Sequence, residues 1–279
     1  MSLNLPIGKR IAVAVTPDFD AQSAWIGGYG LTSPSYLSRG EFGAEVGLPR
    51  LLELFRKYEL TTTFFVPGHT MITFPNRLEE IMQMGHEIAS HGCYHEAIRS
   101  LTPERERELM IKQLEQYAKM VGGKPRGYRS PAWDYSDITL NLIEEFGFDW
   151  DSSLMGRDFE LYHPRPVEIH LEEASVFGPA SKILEFPVSW FLDDWPTQEF
   201  VPGISEGLHD HDVVFRRWRD IFDYARQQEY PTVYNLTVHP QVIGRAHMIQ
   251  MLDKLLSHMA SFDDVWFAPI SAIYDRWTD

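Results

Sequence analysis

The sequence predicts an α/β fold built round a mainly parallel sheet, and three observations lead there. Short apolar, β-branched runs alternate with stretches of helical period, as in successive βαβ units. No internal repeat, low-complexity tract or Pro/Gly/Ser linker divides the 279 residues, which predicts a single domain spanning the chain. Polar and titratable residues fall at the C-terminal ends of the apolar runs, and in a parallel barrel all those ends open on one face.

The elements follow in order. Ile11 to Val15 is the first run, closed by Asp18-Phe19-Asp20; Thr62 to Val66 is the second, followed by Pro67-Gly68-His69. Glu87 to Ala89 leads to His91, and a short Gly127-Tyr128 run leads to Arg129. Leu184 to Val188, Thr232 to Val238 with His239 at its end, and Val265 to Ala268 complete the strands. Thr102-Pro103 is an N-cap followed by proline in the first turn; Met110, Leu114, Tyr117 and Val121 form the stripe of that helix, and Gly122-Gly123 stops it. Ile138, Leu142 and Phe146 mark a second helix, and Val214, Trp218, Ile221 and Ala225 a third that ends before Pro231. The stretches Trp25 to Gly47 and Gly156 to Ser181 show neither period and are expected to be irregular elaborations over one face.

Composition narrows the function. A chain that is 44% apolar yet has no run of about 18 apolar residues reads as soluble and globular, without a membrane span. The first residues lack the charged-then-apolar order of a secretory signal, and a single cysteine, Cys93, leaves no internal disulfide framework; both predict a cytoplasmic location. The formal charge of -15, with no block of five or six Lys/Arg, argues against nucleic acid and anionic membranes as partners. No G-x-S-x-G, P-loop or Rossmann glycine set supports a serine hydrolase, NTPase or dinucleotide enzyme.

The strand-end residues suggest a metal site. His91 and His95 stand four apart, so on a helical turn they share one face, and neutral imidazole suits zinc and neighbouring divalent metals. Asp18 and Asp20, at i and i+2 of an extended segment, project to one side, so one carboxylate can bind metal while the other stays free as a base. Spacing alone does not say which. Arg129 offers a guanidinium for a carboxylate, Trp133 an indole to wall a pocket, and His239 a candidate general acid. Taken singly, each of these residues reads equally well as a cap, a turn or a core residue. His209-Asp210-His211 imitates an H-x-H ligand pair but follows a Gly-rich loop, and reads as loop and helix start. Cys93 reads as a small packing residue.

Together, Asp18/Asp20, His91-x-x-x-His95, Arg129-x-Pro131 and Leu236-x-x-His239 resemble, in order and spacing, the polysaccharide deacetylases, the carbohydrate esterase group with the NodB homology domain. The resemblance covers nearly the whole chain. Ser38-Arg39-Gly40, Glu45 to Arg50, Phe65 to His69 and Trp190 to Asp194 look closest to the branch of peptidoglycan-deacetylase-like proteins, allantoinases and cyclic imide hydrolases. It implies a distorted, incomplete (β/α) barrel of about seven strands, TIM-like, binding one divalent ion: zinc first, with cobalt, nickel or manganese as alternatives. Carried over by position, Asp20, His91 and His95 are the ligands, Asp18 the base, Arg129 its orienting partner and His239 the acid. Two departures stand out. Phe19 separates aspartates that are usually adjacent, and Gly92 replaces a Ser or Thr whose hydroxyl braces the loop. Allantoinase-like members lack the metal-binding aspartate, so the presence of Asp20 argues against a plain allantoinase.

The implied activity is metal-dependent hydrolysis of non-peptide C–N bonds, removing N-acetyl groups from amino sugars of glycan or peptidoglycan, with metal-activated water, an Asp base and a His acid. The alternative is a cytoplasmic amidohydrolase that opens a small cyclic amide, a cyclic imide or an allantoin-like ureide. It rests on the missing leader and on Trp25, Tyr29, Tyr36, Phe159 and Tyr162, aromatic mass enough to roof a barrel mouth. His69, Trp133, Trp25 and Tyr29 are expected to line the substrate pocket. A catalytically inactive scaffold is the third reading, though every expected position is filled. The resemblance also implies a homo-oligomer.

Overall fold

Parallel strands form the centre of the molecule: β1 (Ile11–Pro17), β2 (Thr63–Val66), β3 (Glu87–Ser90), β4 (Gly127–Tyr128), β5 (Trp150–Asp151), β6 (Leu184–Glu185), β7 (Thr232–Val238) and β8 (Val265–Phe267). The computed structural model describes residues 2–278. β2 to β6 pair in sequence order as one sheet; β7, β1 and β8 form another with β1 in the middle. Thr232 lies opposite Ile11 and Val238 opposite Pro17, while β8 pairs only with the first half of β1. A bridge between Asp18 and Phe65 joins β1 to β2, and one between Asp193 and Thr237 joins the segment after β6 to β7. The Asn235 amide adds a bond to the Pro187 carbonyl at 3.1 Å. Seven strands thus form a ring whose two sheets are joined by isolated bridges, with β8 wedged beside it: a distorted (β/α) barrel, as the resemblance implies.

Packing explains the ring. Every residue of β1 and β7 is buried, which matches their apolar and β-branched composition, broken in β7 only by Asn235. Their outward side chains Val13, Val15, Tyr234 and Leu236 meet helices Leu48–Lys57, His211–Arg226 and Ala246–Ala260 in one apolar cluster. On the other face, Ala12 and Ala14 leave room for Phe65, Trp150 and Phe186. The expected helices are present as Pro103–Met120, with the Thr102 hydroxyl accepting from the Arg105 amide, and as Thr139–Glu145 and His211–Arg226. Among the described residues no helix is long and apolar enough to cross a membrane.

Two expectations change. The stretch from Trp25 to Gly47 is largely helical: Ala24–Gly28, Pro34–Phe42 and Gly43–Gly47 run into Leu48–Lys57. Several of its glycines serve close packing. A Cβ at Gly47 would lie 1.9 Å from the Pro240 carbonyl oxygen, so only glycine lets this helix seat against the residue that follows His239. Gly156 to Ser181 is irregular apart from an exposed antiparallel pairing of Val167–Glu168 with Val176–Phe177. The run expected from Leu184 to Val188 pairs only over Leu184–Glu185, and β5 went unpredicted. A two-residue strand is defined by its neighbours rather than by its own pattern.

His86 gives the fold a pH dependence. Its Nδ1 accepts from the Thr62 amide at 3.2 Å, and its ring packs between Phe55 and Phe64. Burial lowers the imidazole from 6.5 to about 4. The neutral form is the folded form, so its contribution is present above pH 6.5 and is lost as pH falls towards about 4. His86→Gln keeps an acceptor without titrating, and is expected to shift that part of the acid-unfolding curve to lower pH. An unchanged curve would remove His86 from the account.

Candidate active site

The end of β1 is clamped on both sides. The Asp18 amide donates to the Val238 carbonyl at 2.9 Å and the Phe19 amide to the Phe65 carbonyl at 2.8 Å. Residues 18 to 20 are therefore extended, and both carboxylates turn inward: Asp18 Oδ2 lies 3.6 Å and Asp20 Oδ1 3.4 Å from His91 Nε2. Their surroundings differ. Asp18 Oδ1 accepts from Arg129 Nη1 at 2.6 Å, whereas neither oxygen of Asp20 has a partner.

Arg129 is fully buried yet satisfied. Besides Asp18 it donates to Thr16 Oγ1 at 3.1 Å, to Ser152 Oγ at 2.8 Å and, through Nε, to the Ser152 carbonyl at 2.9 Å. Its guanidinium lies 3.7 Å over the Phe65 ring. Saturated geometry of this kind lets a buried ion pair offset its desolvation. Asp18 is held with Oδ1 engaged and Oδ2 facing the site.

His91 and His95 do not share a helical turn. Residues 91–97 form a loop in which Gly92 has φ 72° and His95 φ 60°, and this backbone path, rather than helical spacing, brings the two rings to 5.1 Å. Gly92 is where the family pattern has Ser or Thr; a Cβ there would lie 2.7 Å from Pro131 Cγ, so the hydroxyl has no room. The buried Glu96 carboxylate braces the loop instead, accepting from the Cys93 amide at 3.0 Å and the Tyr94 amide at 2.8 Å. Glu96→Ala removes charge-assisted bonds worth roughly 1.5–3 kcal/mol each. It is expected to lower the melting temperature and to speed metal loss on dialysis; unaltered metal retention would remove the bracing role. Cys93 is a buried packing residue whose thiol burial pushes up to about 11.

The donor set fits a divalent cation. One ligand atom each from Asp20, His91 and His95 lie within 4.8 Å of one another. His91 Nδ1 donates to the Arg129 carbonyl at 2.8 Å, which fixes the tautomer and leaves Nε2 buried with no partner. Burial lowers His91 to about 4 and His95 well below its ordinary value, so both rings are neutral near pH 7, as ligation requires. Burial also raises Asp20 well above the carboxylate range; such a carboxylate calls for a cation or a proton.

His239 belongs to a different group. Its Nδ1 and backbone amide both donate to Asp194, at 2.7 and 3.0 Å, and Asp193 lies 3.5 Å from Nδ1. Asp193, Asp194 and His239 also have donor atoms close enough for a metal, but here the hydrogen bonds already satisfy them. Burial alone would lower the imidazole; the buried carboxylates of Asp193, Asp194 and Asp20 outweigh it and raise His239 to about 10. Nε2 points at the aspartates, 3.9 Å from Asp18 Oδ2 and 3.7 Å from Asp20 Oδ2.

Above these groups lies a cavity of about 160 Å³, lined by Asp18, His95, Asp193 and His239 below and by Tyr29, Trp133, Trp190 and Trp195 around it. Trp133 and Trp190 face each other with ring centroids 4.4 Å apart; Trp195 stacks on Tyr29 and donates to its hydroxyl at 2.9 Å. Ala132 and Trp133 both take left-handed φ, 53° and 54°, a strained path that aims the indole at the pocket. Of the residues expected here, Tyr29 and Trp133 line the cavity and two do not. Trp25 is fully buried behind Tyr29 and Trp195, under the Arg39 guanidinium. His69 lies in the first turn of helix Gly68–Thr73, where its amide donates to the Cys93 carbonyl at 2.6 Å and its Nδ1 meets Ser23 Oγ at 3.2 Å, so it supports the His91–His95 loop from outside. Phe159 packs near Tyr224 and Tyr162 near Gly156, away from the mouth. Glu96, Asp193, Asp194, Trp190 and Trp195 were missed as site residues. The acidic doublet after an aromatic run, and a glutamate directly after His95, were the available signals.

A sequence model of the polysaccharide deacetylase family matches residues 41–150. Peptidoglycan deacetylase of Helicobacter pylori is 34% identical, over 96% of this chain and 97% of that protein. This chain belongs to the polysaccharide deacetylase family. The chain superposes on a solved Mycobacterium smegmatis structure assigned to the same family with a TM-score of 0.86 at 32% identity, over 99% and 93% of the two chains. A solved allantoinase shares the fold of this chain, TM-score 0.79 at 22% identity over 98% and 92%. The relatives named deacetylases are hydrolases of C–N bonds other than peptide bonds, and this chain is a hydrolase of that class.

Proposed function

We propose that the protein removes the N-acetyl group from an amino sugar, using one divalent ion held by Asp20, His91 and His95. The observation that carries the reading is the buried, unpartnered Asp20 carboxylate facing His91 Nε2, beside an Asp18 already committed to Arg129. Two neutral imidazoles and one carboxylate favour zinc. When bound, the ion supplies positive charge at the amide carbonyl and lowers the pKa of water towards about 7.

The chain's own residues handle the protons. Asp18 Oδ2, free because Arg129 occupies Oδ1, takes the proton of the attacking water. His239, kept protonated by Asp193 and Asp194, presents Nε2 to the same space and gives its proton to the leaving nitrogen, which would otherwise depart as a poor amide anion. The four aromatic rings exclude water and hold the acyl group. The protein is expected to release acetate from N-acetylglucosamine oligomers only when loaded with metal. Normal turnover in a verified metal-free sample would sink the scheme.

The size of the cavity favours a second reading. At about 160 Å³ it is smaller than the roughly 300 Å³ of ordinary small-molecule sites, and it is walled on several sides. A small cyclic imide or ureide would fill it whole, whereas a glycan would insert only its acetamido group. Ring opening of an imide by metal-loaded protein that releases no acetate would decide for the small amide.

A further inference from the structure

A second cavity, of about 330 Å³, lies behind the wall of the active-site pocket. Helix Trp195–Gln198 and the turn Pro240–Ile243 separate the two: Trp195 and His239 line the first cavity, Gln198 and Gln241 the second. Its chemistry is of another kind. Arg39, Arg245 and the His247 imidazole share it with the Glu199 carboxylate and an apolar wall that includes Phe200 and Met248. Glu199 offsets Arg39, and burial with the nearby His211 and Arg245 lowers His247, so Arg245 is the cation left uncompensated in a chain with a formal charge of -15.

Gln241 supplies the second observation. It is 1% exposed, and neither its amide nitrogen nor its carbonyl oxygen has a hydrogen-bond partner. Buried amides are ordinarily paired, so a polar ligand is the group that would satisfy this one. The arginines differ in commitment. Arg39 pairs with Glu199, donates to the Phe200 carbonyl at 2.8 Å and lies 4.4 Å over Trp25. Arg245 lies 3.7 Å over Phe42, and among the described residues no carboxylate forms an ion pair with it. Burial and the nearby Arg50 lower its guanidinium from the ordinary range, a cost that an anion would relieve.

We propose that this cavity binds a small organic carboxylate with an apolar body, its carboxylate held by Arg245 and the Gln241 amide and its body against Phe200, Leu208 and Met248. An inorganic anion would leave the apolar wall uncovered, and a neutral molecule would leave Arg245 unpaired. The ligand would sit one helix away from His239, independent of the metal.

The test uses benzoate as the probe and benzamide as its neutral counterpart, each titrated calorimetrically into the metal-loaded protein. Saturable one-to-one binding of benzoate is expected, with benzamide at least tenfold weaker. Arg245→Gln should weaken benzoate tenfold or more, the scale of a charged hydrogen bond. Gln241→Leu should weaken it too; if that variant does not fold, Arg245→Gln carries the test alone. Trp190→Ala, in the other pocket, should leave benzoate binding unchanged. The proposal fails if benzoate does not saturate, if benzamide binds equally well, or if Trp190→Ala and not Arg245→Gln weakens binding, which would put benzoate over the metal site. It fails equally if Arg245→Gln alters the sedimentation coefficient while benzoate binds neither protein, since the cavity would then be a contact between copies of the chain.

Discussion

Asp20→Ala is expected to empty the metal site and abolish turnover. Asp20 is the one anionic member of the proposed ligand set, and the two imidazoles left behind are neutral and held in place by the loop and the Arg129 carbonyl. Removal of an outer partner of a metal ligand already costs roughly 10–100-fold in affinity, and removal of the charged ligand itself costs more. Thermal unfolding gives a second readout with an opposite sign. A ligand that binds only the folded state adds RT ln(1 + [L]/Kd), about 2.7 kcal/mol at a hundred times Kd, so the wild-type melting temperature should fall on chelation and that of Asp20→Ala should not. In chelator the order reverses: the wild type still buries a carboxylate whose oxygens lack partners, and the variant does not. Metal analysis after dialysis and melting curves with and without chelator check both statements. Full metal content in Asp20→Ala would exclude Asp20 as a ligand.

Asp18→Asn should do the reverse, retaining the ion and losing turnover by about 10²–10⁴, the usual worth of a general base. The asparagine Oδ1 can still accept from Arg129, which keeps its bonds to Thr16 and Ser152, so the fold loses little. What disappears is basicity at the second atom, which becomes an NH₂ group. Because Asp18 Oδ2 and Asp20 Oδ1 are nearly equidistant from His91 Nε2, at 3.6 and 3.4 Å, distance alone does not separate their roles. Metal content and kcat measured on the same two variants do. Metal loss in Asp18→Asn with retention in Asp20→Ala would exchange the assignments.

Much of this was legible in the chain. The long strands announce themselves by apolar and β-branched residues, because a strand buried on both faces carries few polar side chains; Ile11 to Val15 is unbroken, and Thr232 to Val238 is interrupted only by Asn235. Reactive residues at the ends of those runs fix the order Asp18, Asp20, His91, His95, Arg129, His239, and parallel topology puts strand ends together. A period-based reading could not see β5, whose two residues owe their strand geometry to β4 and β6, nor the helices of residues 24–47, which show no clear helical period and whose glycines pack against distant backbone.

The sequence alone determined the family and the fold class and nominated the side chains proposed to carry the chemistry, because residue type and order survive without knowledge of contacts. Tertiary structure decided their states. It withheld partners from Asp20 and gave Arg129 to Asp18; it neutralised His91 and His95 by burial while charging His239 through Asp193 and Asp194. It replaced the expected helical turn by a left-handed loop braced by Glu96, and chose Trp190 and Trp195 over Trp25 and His69 for the pocket wall. Protonation and access depend on what surrounds a group in space, and the neighbours that set them here lie tens to hundreds of residues away along the chain.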